Sequence, residues 1–227
     1  MDKYDNLIKK VVRGYDIPKE KAEAVLETCL RLGIEPIGNV FLRKPEDIEQ
    51  MYDLFQEKRL NINNYRTCFR RTFSDVKEIF EICEQNHIQI EAIIFGLYPN
   101  ELKETVKYIK ENFGQRYLKN HIVIKNLETL KESMPLLQKM GLLKYALNES
   151  TILGLNEEQI LERTAILMYL GKPVHKIQRY AQEDRFSIIY SLTEEKYEKF
   201  IIENSISDKT RKYQTERLKE VLNEHEK

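Results

Sequence analysis

The chain has 227 residues, of which 37 are basic and 37 acidic, so its formal net charge is zero. A polycation that coats nucleic acid would not balance its charges, and a disordered chain would not carry 41% apolar residues. With 33% charged residues but only 8 Gly and 6 Pro, the composition favours long helices over a turn-rich β-sandwich. We therefore predict an all-α protein.

The N-terminal residues predict a helix that caps the fold. This capping helix is expected over residues 1–15, and Asp16 with Pro18 then supplies an N-cap and an early-turn proline for the first long helix. The segment MDKYDNLIKKVVRG lacks the apolar core of a secretion signal and carries acidic residues, unlike a mitochondrial presequence. Since no window approaches about eighteen uninterrupted apolar residues, no membrane span is expected.

Helix-stop signals recur along the chain at intervals of about 27 to 28 residues. Each ends an amphipathic stretch, as expected for the left-handed residue that follows a helix. Apolar residues recur five, eight and eleven positions before the stops, which places them on one helix face. These three columns are mostly apolar in the first four units, with Thr28 and Lys103 as exceptions, and weaken in the last two. The predicted stops are Gly33, Arg59, His87, Gly114, Gly141 and Gly171.

A shorter apolar segment follows each stop, such as IQIEAIIFGLYP, and predicts a second helix of two or three turns. Pro45 and Pro99 each mark the end of such a helix, because proline disfavours helix in the residue before it. Pro135 lies inside the fifth long helix and predicts a kink, or a restart after Ser133. The expected architecture is an α solenoid of about six helix-turn-helix repeats over residues 16–180, with C-terminal capping helices over 181–227.

This unit resembles the repeat of the mitochondrial transcription termination factor (mTERF) family. In both, a long helix ends in Leu-Gly-Ile or Leu-Gly-Leu and a short helix ends at a proline. The likeness covers roughly residues 20–175 and is carried by LETCLRLGIEPIGNVFLRKPEDIEQMYDLF, FEICEQNHIQIEAIIFGLYPNEL and ILGLNEEQILERTAILMYLG. The resemblance implies a superhelical solenoid whose concave, basic side holds double-stranded DNA or RNA.

Charge is unevenly distributed within the predicted repeats. Four stretches without acidic residues, at 58–74, 112–127, 133–148 and 163–182, overlap the second half of a unit, whereas the long helices hold most of the acids. A side of the fold lined by the second helices would then be positive, as a surface that binds the phosphate backbone requires. The third unit interrupts this pattern, with no Lys or Arg from 85 to 99. The candidate nucleic-acid-binding residues are Arg43, Lys44, Lys58, Arg66, Arg70, Arg71, Arg116, Lys119 and Lys125.

The function predicted from these patterns is non-enzymatic binding of nucleic acid, chiefly of duplex DNA or RNA through phosphate contacts. No glycine-rich phosphate loop, nucleophile elbow or two-histidine metal helix is present in the sequence, so no catalytic residue is expected. The alternative is a protein-binding scaffold or adaptor that uses the same face for a partner. Tyrosines beside the cations could stack on exposed bases or simply pack. They are Tyr65, Tyr117, Tyr145 and Tyr180.

The cysteines Cys29, Cys68 and Cys83 form none of the close pairs that metal or redox motifs use, and their odd number cannot complete a disulfide framework. A reducing compartment, and hence a cytoplasmic location, is expected. Cys83 and His87 stand four apart on one helix, a half-site spacing for zinc that could recruit Cys68 or His121. Because Cys29 and Cys83 occupy equivalent helix positions that otherwise hold apolar residues, we expect buried thiols and neither a metal nor a cofactor.

Overall fold

The computed structural model describes residues 2–144, 151–171, 189–190 and 192–224. Within these ranges the regular structure is helical and contains no strand, which confirms the all-α prediction. The chain divides into two compact units, residues 1–124 (unit 1) and 125–227 (unit 2). No helix in the described ranges is long and apolar enough to cross a membrane.

Unit 1 alternates long α-helices with short connecting segments. Each connecting segment contains a 3₁₀ helix, at Gly38–Leu42, Ile62–Arg70, Ala92–Gly96 and Gln115–Tyr117, and the last also contains the one-turn helix α6 (Asn120–Val123). The long helices are α1 (Asp2–Tyr15), α2 (Lys19–Leu32), α3 (Pro45–Glu57), α4 (Phe73–Gln85) and α5 (Pro99–Asn112).

Two layers result from this alternation. Consecutive long helices from α1 to α5 contact each other, and the 3₁₀ helix of the second segment contacts those of the first and third. We call helices α2–α5 the helical layer. The segments 33–44, 58–72, 86–98 and 113–124 together form the connecting layer.

A second, shorter helix follows each of the helices α2–α5 of unit 1, but it is a 3₁₀ helix. It has nine residues at Ile62–Arg70 and three to five in the other connecting segments, and only the single turn of α6 is α-helical. Sequences such as GNVFL and AIIFG are short, β-branched and contain glycine, all of which disfavour an α-helix. Pro45 and Pro99 are the first residues of α3 and α5, where their fixed φ and missing N–H cost nothing.

The predicted N-cap at Asp16 is also wrong. Asp16 has a left-handed φ of 52°, and Pro18 is the residue that precedes the first turn of α2. Pro18 makes no side-chain capping bond, although its carbonyl accepts a hydrogen bond from the Ala22 N–H at 3.1 Å. The helix expected over residues 1–15 corresponds to α1.

The helix stops were predicted correctly. All six have a positive φ, between 54° at His87 and 92° at Gly114. At four stops the N–H of the next residue donates to the carbonyl five residues before it, as from Ile34 to Cys29 at 2.8 Å and from Ile88 to Cys83 at 2.9 Å, whereas the N–H of Gly114 itself donates to the Ile109 carbonyl at 3.0 Å. This bond satisfies a carbonyl that the end of an α-helix otherwise leaves without a partner.

The three apolar columns form the core of the long helices. Every column residue is buried except Leu54, which is half-buried, and Lys103, which is exposed. The columns therefore continue into the last two predicted repeats, where Ser133 and Arg163 are buried as well. In unit 1 the columns lie beside a cluster of aromatic rings with centroids 5.1–6.3 Å apart. The cluster consists of Phe55, Tyr65, Phe80 and Phe95.

Unit 2 contains α7 (Leu127–Lys139), a 3₁₀ helix at Thr151–Gly154, α8 (Glu157–Tyr169), α9 (Glu194–Glu203) and α10 (Asp208–Glu224). The predicted restart after Ser133 is wrong, because α7 continues through Pro135. Helix α10 packs against α8 and buries Thr215 and Leu218. Of the predicted C-terminal capping helices over 181–227, residues 181–188, 191 and 225–227 lie outside the described residues.

Candidate functional site

The connecting layer and the helical layer of unit 1 carry opposite charge. The connecting layer has nine Lys and Arg residues against two carboxylates, Glu35 and Glu91. Helices α3 and α4 together have nine carboxylates and a single cation, Lys77. The second connecting segment contacts the first and the third, and Gln115 of the fourth donates a hydrogen bond to the Asn86 carbonyl of the third at 2.8 Å, so this separation in sequence is also a separation in space. The connecting layer is therefore the positive surface of unit 1.

Arg71 is a structural residue. Only 9% of it is exposed, and its Nε donates a hydrogen bond to the carbonyl of Leu97 at 3.0 Å. Its Nη2 donates to the carbonyl of Gly96, and its guanidinium carbon lies 3.7 Å from the centre of the Tyr98 ring. Arg71 thus joins the second connecting segment to the third, and its guanidinium is already engaged by two carbonyls and an aromatic ring.

Arg43 and Lys125 hold the same position in their repeats as Arg71 does. Each lies one residue before the N-cap of the next long helix. Both are half-buried. Within the described residues the buried Nε of Arg43 has no hydrogen-bond partner. In unit 2, the Nζ of Lys125 lies 3.6 Å from the position of a Cβ on Gly154, a residue that corresponds to Gly96. Three of the nine predicted residues therefore occupy a packing position.

Lys58 and Arg66 form ion pairs between successive repeats. The Nζ of Lys58 lies 2.5 Å from Oε1 of Glu84, and this hydrogen bond raises the pKa of Lys58. Arg66 pairs with Glu35, and its Nε donates to the Asn63 carbonyl at 3.1 Å. Surface pairs of this kind contribute only about 0–1 kcal/mol to stability. A phosphate could therefore replace either carboxylate at small cost.

Lys44, Arg70 and Lys119 are exposed, with no acidic partner in the described part of the chain. Arg116 is also exposed, and its guanidinium carbon lies 4.9 Å from the centre of the Tyr117 ring. Arg59 is a further exposed cation of this layer, at a helix stop with φ 56°. It was not among the predicted binding residues, although it lies in the acid-free stretch 58–74. These five cations are the ones that the fold leaves available to a ligand.

The tyrosines predicted beside the cations pack into the protein where the structure describes them. Tyr117 is 2% exposed, and the half-buried Tyr65 lies 5.4 Å from Phe55 in the aromatic cluster. Tyr145 and Tyr180 lie outside the described residues. The exposed tyrosine of the connecting layer is Tyr98, which sequence reasoning missed because no cation is near it in the chain.

Arg163 was predicted to contribute to a basic surface and is instead buried in unit 2. Its Nη1 donates to the carbonyls of Ile189 and Leu192, each at 2.9 Å. The prediction was wrong because it assumed that a charged side chain is exposed. A guanidinium whose hydrogen bonds are satisfied inside the protein can occupy an apolar column. Lys139 and Lys144, which lie in the acid-free stretch 133–148, are exposed.

The cysteines lie in the core. All three are free thiols, and burial raises the pKa of Cys68 to about 12 and, helped by the nearby Glu84 carboxylate, that of Cys83 also to about 12. These thiols stay protonated at neutral pH, whereas zinc binds the thiolate. In the ranges that the structure covers, no group of three His, Cys, Asp or Glu side chains could hold a metal ion.

Comparison with known proteins gives no match to a family model, to a curated protein or to a solved structure. The similarity to the mTERF repeat stays a prediction.

Proposed function

We propose that this protein is a non-enzymatic helical-repeat protein that binds nucleic acid through the connecting layer of unit 1. The observation that carries the proposal is the charge separation between the layers, with five exposed cations on the connecting layer that have no acidic partner among the described residues. Phosphates that meet such a layer release condensed counterions, which supplies the part of the affinity that does not depend on sequence. Contacts of this kind position a nucleic acid without reading its bases.

We further propose that residues 16–180 form about six stacked repeats of one solenoid type. Contacts one repeat length apart in sequence support this arrangement in unit 1. Lys103 pairs with Glu78, 25 residues earlier, and Lys58 pairs with Glu84, 26 residues later. Repeats of a solenoid contact mainly their neighbours, and contacts at a constant sequence separation are the expected result.

The zero net charge is compatible with this function because the opposite charges lie in different layers. A polyanion that approaches α3 and α4 meets nine carboxylates, whereas the connecting layer offers it cations. The orientation of the bound polyanion is then set by electrostatic steering. The three buried free thiols support a reducing compartment, and we place this function in the cytoplasm.

The exposed apolar residues of the same layer favour a second candidate function, a protein-binding scaffold. Ile37, Leu42 and Ile93 are exposed on the connecting segments. Apolar anchors of this kind are typical of protein interfaces, whose affinity depends less on salt than that of a phosphate contact.

Charge reversal in the two layers tests the proposed function. The test variant is Lys44→Glu/Arg70→Glu/Lys119→Glu, which changes only exposed cations of the connecting layer that make no ion pair with any residue the structure describes. The control variant, Lys19→Glu/Lys77→Glu/Lys107→Glu, changes the net charge equally on the helical layer. Binding of fluorescein-labelled duplex and single-stranded oligonucleotides, both DNA and RNA, is measured by anisotropy. We expect the test variant to weaken binding by at least about 100-fold and the control variant by less than about threefold.

The salt dependence of wild-type binding gives a second readout. Five phosphate contacts predict a slope of about −3.5 to −4.5 in a plot of log affinity against log salt concentration. A slope near zero, or equal losses in the two triple variants, would contradict a nucleic-acid surface on the connecting layer. Retained circular dichroism at 222 nm confirms that each variant is folded.

A further inference from the structure

The third connecting segment, residues 86–98, differs from the segments on either side of it in the chain. It contains no Lys or Arg, and it exposes two large side chains, Ile93 and Tyr98. Tyr98 is 55% exposed although it lies one residue from the buried Pro99. The connecting layer therefore exposes one aliphatic and one aromatic side chain in the segment that lacks cations.

Arg71 holds the Tyr98 ring in place by packing on one of its faces. The guanidinium of Arg71 covers one face of the ring, with its central carbon 3.7 Å from the ring centre. Arg71 cannot move away easily, because it is buried and donates hydrogen bonds to the carbonyls of Gly96 and Leu97. The orientation of Tyr98 is thus fixed before any ligand binds, so a ligand that stacks on it does not have to pay the entropy of ordering a free side chain.

We propose that Tyr98 is a stacking platform for an unpaired base of the bound nucleic acid. This inference rests on the proposed function and names the ligand class more closely, as a single strand or a loop with exposed bases. The faces of bases inside a duplex are covered by their neighbours, whereas an unpaired base can lie flat on an aromatic ring. The guanidinium on the opposite face attracts the electron-rich ring whether or not a base is bound, and so holds the ring in the stacking position.

A phosphate site lies next to this platform. Arg70 directly precedes Arg71, is exposed and has no acidic partner in the described ranges. Adjacent Cα atoms are about 3.8 Å apart, so the side chain of Arg70 begins next to the residue that supports Tyr98. A nucleotide stacked on Tyr98 can therefore place its own or a neighbouring phosphate against Arg70. The 3₁₀ helices of these two segments are in contact, which keeps the platform and the cation together.

Binding of a normal and an abasic oligonucleotide tests the platform. The probes are a fluorescein-labelled single strand of twelve thymidines and a strand of the same length whose nucleotides lack bases, both measured by anisotropy with the 227-residue chain. The wild type is expected to bind the thymidine strand roughly 5- to 150-fold more tightly than the abasic strand. Tyr98→Leu, which keeps an apolar side chain over Arg71, is expected to lose this difference, and Tyr98→Phe to retain it.

A matched control replaces a tyrosine outside the connecting layer. Tyr213 on α10 is also exposed, and Tyr213→Leu is expected to bind both strands as the wild type does. Equal binding of the two strands by the wild type, or an unchanged preference in Tyr98→Leu, would overturn the platform while leaving the phosphate-binding function intact. If neither strand binds and duplexes do not bind either, the proposed function itself fails. Thermal melting of each variant verifies that the fold is retained.

Discussion

The guanidinium carbon of Arg163 on α8 lies 4.6 Å from the centre of the Tyr197 ring on α9. Only 1% of Arg163 is exposed. Its Nη1 donates to the carbonyls of Ile189 and Leu192, and its Nη2 pairs with Glu194 at 2.8 Å. The buried charge is thus compensated by carbonyls, a carboxylate and an aromatic face, and it fastens α8 to the chain at the start of α9.

Replacement of Arg163 is therefore expected to destabilise unit 2. Arg163→Met retains much of the side-chain volume but leaves the buried carbonyls without donors, each at a cost of about 1–3 kcal/mol. We expect the free energy of unfolding in urea to fall by about 3 kcal/mol. Lys196→Met removes an exposed cation of α9 and should change stability by less than about 0.5 kcal/mol. Equal effects of the two substitutions would show that the buried network contributes nothing specific.

Two adjacent arginines of the connecting layer should separate stability from binding. Arg71 is buried and joins two segments, whereas Arg70 beside it is exposed. We expect Arg71→Gln to lower the free energy of unfolding by about 1–3 kcal/mol, because the carbonyls of Gly96 and Leu97 lose their donors. Arg70→Gln should leave stability unchanged and lower nucleic-acid affinity, by roughly three- to tenfold at low salt. Urea titration and anisotropy distinguish the two, and the opposite assignment of roles would contradict the structure.

The repeat period could be predicted from the sequence because its signals are local. Left-handed stops and apolar columns each depend on a few neighbouring residues, and both are present where they were expected. The short second helix could not be predicted as well. Segments such as AIIFG are equally apolar in an α-helix and a 3₁₀ helix, and their packing against the next segment decides between them.

The candidate site was predicted only in part, because formal charge does not reveal where a side chain goes. Arg70 and Arg71 are adjacent cations of the same acid-free stretch, yet one is exposed and the other is buried over Tyr98. The difference comes from a contact 25 residues along the chain with the Gly96 carbonyl, which no local pattern contains. The same limitation applies to Arg163, whose partners lie 26 and 29 residues away.

Glycine at a helix stop should be required for its backbone conformation and not for space. Gly33 has φ 67°, and a Cβ placed on it would have no atom within 4 Å. Gly33→Ala is therefore expected to lower the free energy of unfolding by about 1–2 kcal/mol through left-handed strain alone. The matched control is Gly14 on α1, which has no left-handed φ and is equally open.

The sign of the effect should reverse at the control position. Gly14→Ala raises helix propensity and should stabilise the protein by about 0.5–1 kcal/mol. Arg59→Gly is the reverse test, because it removes the backbone strain of a left-handed arginine at an equivalent stop. It is expected to stabilise slightly, by about 0.5 kcal/mol after the greater chain entropy of glycine is deducted. Thermal and urea unfolding of the three variants measure these differences, and a stabilising Gly33→Ala would contradict the assignment.

The buried thiols should make the protein less stable at alkaline pH. Burial raises the pKa of Cys29 from about 9 to about 11 and that of Cys68 from about 9 to about 12. Above pH 9 the unfolded chain releases these protons while the folded chain retains them, so the unfolded state binds fewer protons and stability falls as pH rises. The loss should start near pH 9 and continue toward the folded pKa values, at about 1.4 kcal/mol per thiol by pH 10.

A thiol-free position isolates this effect from other alkaline titrations. Cys68→Ala is expected to be less stable than the wild type at pH 7, because it leaves a small cavity, and to lose about 1.4 kcal/mol less stability between pH 7 and pH 10. Urea unfolding at the two pH values measures the difference. In the folded wild type at pH 8 the thiols should react with a disulfide reagent only as fast as the protein opens, since both burial and the raised pKa suppress the thiolate. Identical pH profiles for the variant and the wild type would show that the Cys68 thiol titrates normally and is accessible to water.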